Sequence, residues 1–313
     1  MAKAAVENRA QAQRPVPAPK RGERRSQRAL AAAAAAGVAG LAAIALVALS
    51  FRGGDEDGAA LPRTSDYHSL LVSGRGSGRL TLGTHQGLFR SDDGGRSWRQ
   101  AALAGQDAMN LARPDAATLW AAGHNVLARS GDGGASWEDV RPEALPSLDV
   151  HGFAVDPRDG RRLFAAIAGE GIYRSTDAGR SFALATDDVG AGVMALAALP
   201  DGRLLAGDME RQELLESDDG GRSWRPLLQT QVMGLAVNPG EPDTILASGS
   251  RVLRSTDGGK DWAPVLDIPA GSGPIAWSQG DPAVAYVVGL DRSLYRSGDT
   301  GETWSAVVSG EGS

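Results

Sequence analysis

Residues 91–98 read SDDGGRSW, and five later segments of the chain repeat this phrase with small changes. The later copies are SGDGGASW at 130–137, STDAGRSF at 175–182, SDDGGRSW at 217–224, STDGGKDW at 255–262 and SGDTGETW at 297–304. Successive leading serines are 39, 45, 42, 38 and 42 residues apart. A period near 40 residues predicts a β-propeller, in which each repeat forms one blade of four short strands.

The fifth repeat displays the four strands most clearly. They are predicted at VMGLAVNP (232–239), TILASGS (244–250), RVLRST (251–256) and DWAPVLD (261–267), with turn residues between them. Six such repeats occupy residues 68–310, which predicts an all-β, six-bladed propeller in a single domain. Residues 52–67 are then a linker, because they are too few for a seventh blade.

Each repeated phrase is interpreted as the tight turn between the third and fourth strands of a blade, here called a box turn. Its aspartate accepts hydrogen bonds from backbone N–H groups, and the glycine two residues later takes a positive φ. The aromatic residue begins the return strand and offers apolar area to the neighbouring blade. The structural residues of the six box turns are Ser91, Asp93, Gly95, Trp98, Ser130, Asp132, Gly134, Trp137, Ser175, Asp177, Gly179, Phe182, Ser217, Asp219, Gly221, Trp224, Ser255, Asp257, Gly259, Trp262, Ser297, Asp299, Gly301 and Trp304.

The pattern S-x-D-x-G-x-S/T-W resembles the Asp-box, or bacterial neuraminidase repeat, with Phe182 and Asp261 as the two departures. The resemblance implies that the turns are structural. It also implies relatives of two kinds: sialidases and other glycoside hydrolases, and non-enzymatic propellers such as sortilin-type receptors and photosystem assembly factors. A sialidase is disfavoured, because residues 60–90 lack an Arg-Ile-Pro motif and the sequence shows no glutamate motif that would activate Tyr67 as a nucleophile.

The N-terminal region differs in charge from the rest of the chain. Residues 1–52 carry nine Lys/Arg and two acids, whereas the remainder carries 23 Lys/Arg and 36 acids. Residues 1–28 predict a disordered basic tail, and the uncharged segment 29–51 is long enough for a transmembrane signal anchor. The positive-inside rule keeps the tail in the cytoplasm and exports the propeller. A cleaved signal peptide and an Ala-rich soluble helix are the alternatives for residues 29–51. The acidic propeller argues against a nucleic-acid partner.

Histidines and methionines recur at equivalent positions of the aligned repeats. The position that opens the first strand holds His68, Met109, His151, Met194, Met233 and Ile275. A second position, between the second and third strands, holds His85 and His124. Both positions belong to the end of a propeller opposite the box turns, so these side chains are predicted to gather at one mouth of the channel.

This histidine–methionine set predicts one of two things. Imidazole and thioether ligands suit copper, especially Cu(I), and the aspartates two residues before three of them (Asp66, Asp107 and Asp149) are placed to orient the imidazoles. Alternatively, methionine and histidine simply fill the channel, since methionine packs well into irregular gaps. The absence of cysteine excludes thiolate metal sites and disulfides.

The sequence favours an exported, membrane-anchored propeller that acts as a non-enzymatic binding or assembly scaffold. An envelope protein or a glycan would dock on the face away from the box turns. Two alternatives stay open. One is a glycoside hydrolase, which needs two carboxylates across a cleft; the other is a metal-binding protein that uses the channel mouth.

Overall fold

The computed structural model describes residues 60–74, 77–142, 144–190 and 192–310. Within them the chain forms six four-stranded antiparallel sheets, each made of four consecutive strands. The prediction of an all-β, six-bladed propeller is confirmed. The predicted tail and membrane anchor (1–51) lie outside the described residues. In the part of the chain that is described, no helix has the length and apolar character needed to cross a membrane.

The strands of the blades have the following bounds. Blade 1 comprises β1 (Ser69–Ser73), β2 (Arg79–Thr84), β3 (Gly87–Ser91) and β4 (Arg99–Ala102), and blade 2 comprises β5 (Asn110–Ala112), β6 (Leu119–Gly123), β7 (Val126–Ser130) and β8 (Glu138–Asp139). Blade 3 comprises β9 (Val150–Val155), β10 (Leu163–Ile167), β11 (Gly171–Ser175) and β12 (Ala183–Thr186), and blade 4 comprises β13 (Val193–Ala198), β14 (Leu204–Asp208), β15 (Glu213–Ser217) and β16 (Arg225–Gln229). Blade 5 comprises β17 (Val232–Val237), β18 (Ile245–Gly249), β19 (Val252–Ser255) and β20 (Ala263–Leu266), and blade 6 comprises β21 (Ser272–Trp277), β22 (Ala285–Gly289), β23 (Leu294–Ser297) and β24 (Ser305–Val308).

The core lies between the blades. The second strand is buried at every residue in blades 2 to 6. The fourth strands have almost no buried residue, since their residues are exposed or half-buried apart from Thr186 and Val308. A second strand has a neighbouring sheet on each of its faces, which explains its nearly continuous apolar sequence. Five buried apolar clusters of the described residues join blades 6 and 1, 2 and 3, 3 and 4, 4 and 5, and 5 and 6.

The junction of blades 1 and 2 is different. None of the five clusters of described residues crosses it, and a cleft of about 400 Å³ lies there instead. Its lining includes four arginines: Arg79, Arg90, Arg99 and Arg113. Blade 2 is also the thinnest blade, because β5 has three residues and β8 has two.

Blades 6 and 1 close the ring without sharing a strand. The backbone N–H of Gln279 donates to the carbonyl of Val72 at 3.2 Å, and the hydroxyls of Ser77 and Ser278 lie 2.7 Å apart. Two residues of the predicted linker, Leu61 and Tyr67, pack into the apolar cluster at this junction. The closure therefore combines an apolar core with backbone and side-chain hydrogen bonds.

The box turns have the local structure that their residue types predict. In the first turn, Asp93 Oδ1 accepts hydrogen bonds at 3.0 Å from the N–H groups of Arg96 and Ser97. Ser91 Oγ accepts from the N–H of Gly95 at 2.8 Å and donates to Asp93 at 2.7 Å. The indole N–H of Trp98 donates to the Gly95 carbonyl at 2.9 Å. The first box turn is therefore a closed network of hydrogen bonds, whereas in the second turn the indole N–H of Trp137 has no partner among the described residues.

Two departures from the repeated phrase remove parts of this network. Phe182 has no indole N–H to donate, and Asp261 offers the aspartate of the fifth turn only its backbone N–H. Where the hydroxyl is present, it stabilises the charged carboxylate. The hydrogen bond from the Ser181 hydroxyl, followed by that from its backbone N–H, lowers the pKa of Asp177 from 3.8 to about 2.

Candidate functional site

The four histidines lie on adjacent blades at the end of the propeller opposite the box turns. His68 directly precedes β1, and His151 lies in β9. His85 and His124 occupy the turns between β2 and β3 and between β6 and β7. Together with Asp66, Asp107 and Asp149 they form one continuous cluster, here called the histidine mouth.

Asp107 is the centre of the histidine mouth. Its Oδ2 lies 2.6 Å from Nδ1 of His85 and 2.5 Å from Nδ1 of His124. A carboxylate at these distances accepts hydrogen bonds, so both histidines carry a proton on Nδ1. In the neutral ring the other nitrogen, Nε2, then has a free lone pair. One aspartate therefore sets the tautomer of two histidines on two blades.

The Nε2 atoms face a further histidine and a further aspartate on each side. On blade 1, Nε2 of His85 lies 3.0 Å from Nε2 of His68 and 3.2 Å from Oδ2 of Asp66. Across blades 2 and 3, Nε2 of His124 lies 3.1 Å from Nε2 of His151. Oδ1 of Asp149 lies 3.2 Å from each of these two nitrogens. The mouth thus contains two sets of two histidines and one aspartate.

Polar atoms of this cluster are left without hydrogen-bond partners. Oδ1 of Asp107, Oδ1 of Asp149 and Nδ1 of His151 are inaccessible and form no hydrogen bond to another described residue. Burial, followed by the neighbouring His85, lowers the pKa of His68. The unpaired, inaccessible Asp149 oxygen favours binding of a cation.

Close backbone approaches to the segment leading into blade 2 position the cluster. A side chain at Gly83 would overlap the carbonyl oxygen of Ala108, and one at Gly123 would overlap that of Asp107. The N–H of Ala108 donates to the Thr84 carbonyl at 3.1 Å, across the junction of blades 1 and 2. These two glycines let the segment leading into blade 2 run directly beside His85 and His124.

The predicted methionines occupy neighbouring but different positions. Met194 and Met233 line the central channel together with His68, whereas Met109 is buried at the start of blade 2. The polar contacts of the histidine mouth join imidazole nitrogens and carboxylate oxygens. The sequence predicted a role for the three aspartates in orienting imidazoles, and Asp107 has the contacts of that role. Asp66 and Asp149 instead face the same Nε2 atoms as the paired histidines.

Comparisons with known proteins identify the fold. No family model matches the chain, and no curated protein matches it by sequence. The chain is similar in structure to the GH74 xyloglucanase from Xanthomonas campestris, with a TM-score of 0.59 and 21% identity over 80% of this chain and 46% of that one. The chain therefore spans about half the length of that enzyme.

Two further similar structures are complexes of a protein with a binding partner. YCF48 bound to a D1 peptide gives a TM-score of 0.53 at 18% identity, over 80% of this chain and 85% of that one. A chain of a nidogen–laminin complex gives a TM-score of 0.57 at 14% identity, over 69% of this chain and 87% of that one. At these identities the similarities establish the propeller fold, which is found in both enzymes and binding proteins.

Proposed function

We propose that this protein is a non-enzymatic binding propeller of the cell envelope and that the histidine mouth is its binding face. The proposal includes export of the propeller and anchoring through residues 29–51. One observation carries it: the mouth brings together four histidines and three aspartates from three blades. Such a concentration of titratable groups around a channel opening is typical of a ligand-binding site.

The acids described above do not resemble the pair of a glycoside hydrolase. Such a pair needs one carboxylic acid with a raised pKa and a second carboxylate across a cleft. The aspartates of the histidine mouth all contact histidines, and those of the box turns have lowered pKa values because their own turns donate hydrogen bonds to them. We therefore favour binding, with a glycoside hydrolase as the alternative.

The binding face can be tested with a photo-cross-linking amino acid placed at Glu170 or at Ala135 in the producing cells. Glu170 lies in the turn between β10 and β11 on the mouth side, and Ala135 lies in the second box turn; both are exposed. We expect a defined adduct from Glu170, sensitive to protease if the partner is a protein and to glycosidases if it is a glycan. An adduct from Ala135 alone would contradict the proposal.

Enzyme activity needs a separate test on the full-length protein. We expect no release of reducing ends from xyloglucan or of sialic acid from sialyl-lactose. Turnover that survives replacement of the mouth histidines would establish the glycoside hydrolase alternative and a site elsewhere on the propeller.

A further inference from the structure

We infer that the histidine mouth binds two divalent transition-metal ions, each held by two histidines and one aspartate. Site 1 comprises Asp66, His68 and His85, and site 2 comprises His124, Asp149 and His151. Asp107 lies between the sites and positions one histidine of each. This inference rests on the proposed function, because it names the ligand of the same face.

The spacing of the ligand atoms carries the inference. A metal ion with bonds of about 2.1 Å separates its ligand atoms by about 3.0 Å at right angles and about 3.4 Å at tetrahedral angles. In site 2 the three ligand atoms form a nearly equilateral triangle with edges of 3.1, 3.2 and 3.2 Å. In site 1 the two Nε2 atoms are 3.0 Å apart, and the aspartate oxygen is 3.2 Å from one of them. All these edges fit one shared ion per site.

Hydrogen bonding alone does not explain the carboxylate contacts. Oδ1 of Asp149 is within 3.2 Å of two imidazole nitrogens and yet forms a hydrogen bond with neither. A hydrogen bond would require a ring N–H to point at this oxygen, and the angles of these two contacts do not meet that requirement. An ion on one side of the triangle would bond to all three atoms.

The contacts of Asp107 belong to a different class. At 2.5 and 2.6 Å they are shorter than any edge of such a coordination polyhedron and have the length of charge-assisted hydrogen bonds. A carboxylate that accepts the Nδ1 proton of a ligating histidine fixes its tautomer and raises the basicity of Nε2. Asp107 is therefore a positioning residue for both sites rather than a ligand of either.

The donor set selects the class of metal. Each site offers imidazole nitrogen and carboxylate oxygen, which suit borderline divalent ions such as Zn²⁺ and Cu²⁺ better than Cu(I). Three ligands in a triangle leave the opposite side of each ion open. His85 and His124, one histidine of each site, are partly exposed, with 33% and 42% of their side chains accessible, so both sites adjoin solvent.

The experiment is a titration of chelator-treated, full-length protein in mild detergent with Zn²⁺ and, separately, Co²⁺ as a spectroscopic probe. We expect two Zn²⁺ per chain and visible Co²⁺ absorption from a nitrogen–oxygen site. His68→Ala with His85→Ala, and His124→Ala with His151→Ala, should each reduce the stoichiometry to one. Combining the four substitutions should abolish binding. Glu170→Gln with Asp187→Asn, on the same face outside the cluster, should leave it at two.

Asp107→Asn tests the shared positioning role. It should weaken both sites together by about 10- to 100-fold while leaving the stoichiometry at two. Weakening of only one site would overturn the shared role. Zn²⁺ binding that is absent at micromolar concentrations in the folded parent, or that survives the fourfold histidine substitution, would overturn the metal sites.

The cross-linking experiment separates this inference from the proposed function. If the chelated, metal-free protein still forms the Glu170 adduct and binds no Zn²⁺, the metal sites fail and the binding face stands. If the protein binds two Zn²⁺ in the titration but forms a cross-linked adduct only from Ala135, the metal sites stand and the proposed partner face fails.

Discussion

Blade 1 contacts its two neighbours in opposite ways. Towards blade 6 it buries Leu80 and Leu82 in an apolar cluster that also contains Val288 and Leu294. Towards blade 2 it presents an arginine-lined cleft on the box-turn side and the His85–Asp107 hydrogen bond at the other end. The first junction is held by apolar burial, which is independent of direction and of salt. The second is held by polar contacts, which depend on geometry, charge and bound ions.

The polar junction of blades 1 and 2 contains the centre of the histidine mouth, because Asp107 contacts His85 of blade 1 and His124 of blade 2. The mouth also extends over blade 3, whose junction with blade 2 contains an apolar cluster. The two junctions also predict different responses to mutation and to solution conditions.

The largest expected effect is acid unfolding, which should loosen both junctions because every blade has a box turn. Asp177 and Asp299 have pKa values of about 2 in the folded protein, through hydrogen bonds from the hydroxyls of Ser181 and Thr303 above all. Because these pKa values lie below the ordinary value of 3.8, the stabilisation is complete above pH 4 and is lost as pH falls towards 2. The urea midpoint should therefore drop steeply over this range.

The double variant Asp177→Asn, Asp299→Asn serves as the control for this titration. It should be less stable than the parent at pH 6 and should lose less stability between pH 4 and pH 2. If the urea midpoints of the variant and the parent fell in parallel between pH 4 and pH 2, the box aspartates would not be the groups whose protonation destabilises the protein.

A matched pair of leucines compares the two junctions directly. Leu80 and Leu88 are both buried residues of blade 1, but Leu80 packs into the cluster with blade 6, whereas Leu88 lines the cleft towards blade 2. Leu80→Ala should lower the free energy of unfolding by about 3 kcal/mol, because it creates an enclosed cavity. The loss for Leu88→Ala should be smaller than the loss for Leu80→Ala by about 1 to 2 kcal/mol, since solvent already reaches the cleft that Leu88 lines. Urea denaturation measures both; equal losses would remove the distinction.

The polar link between blades 1 and 2 can be broken at Asp107. In the presence of chelator, Asp107→Ala should lower the free energy of unfolding by about 2 kcal/mol. The substitution removes a charged acceptor together with the two hydrogen bonds that it accepts from His85 and His124. Asp187 is an exposed aspartate on the same face, and Asp187→Ala is the control. This control substitution should change the free energy of unfolding little. If the two variants have the same stability, Asp107 does not hold this junction.

The smallest effect is expected for the ion pairs of the arginine cleft. Asp92 contacts Arg79, Arg90 and Arg99 at 2.8 to 3.0 Å, and all four side chains are substantially exposed. Asp92→Asn should destabilise the protein by only about 0.5 kcal/mol at low salt and by less at high salt.

Asp218 occupies the same position in the fourth box turn and forms no ion pair with another described residue, so Asp218→Asn is the control. Calorimetric melting of both variants at two ionic strengths measures the difference. A salt-independent loss in Asp92→Asn would show that the cleft is held by something other than these charges.

Much of the site was predictable from aligned repeats. The box spacing predicts six blades, and the alignment places His68 with His151 and His85 with His124 at one end of the propeller. The alignment does not show which nitrogen of each ring faces which carboxylate. His85 directs Nε2 towards its own blade and Nδ1 towards the next, whereas His124 does the reverse. Residues at equivalent positions thus have opposite orientations.

The amino-acid sequence by itself determined the repeat, the number of blades and the hydrogen bonding of the box turns, because these depend on contacts within eight residues and on a fixed period. Only the tertiary structure decided that Asp107 connects two histidines, that Asp66 and Asp149 complete two ligand sets, and that the junction of blades 1 and 2 lacks an apolar cluster among the described residues. These features depend on how closely the segment leading into blade 2 approaches Gly83 of blade 1 and Gly123 of its own blade, and ångström differences in that approach decide between a hydrogen bond and a metal site.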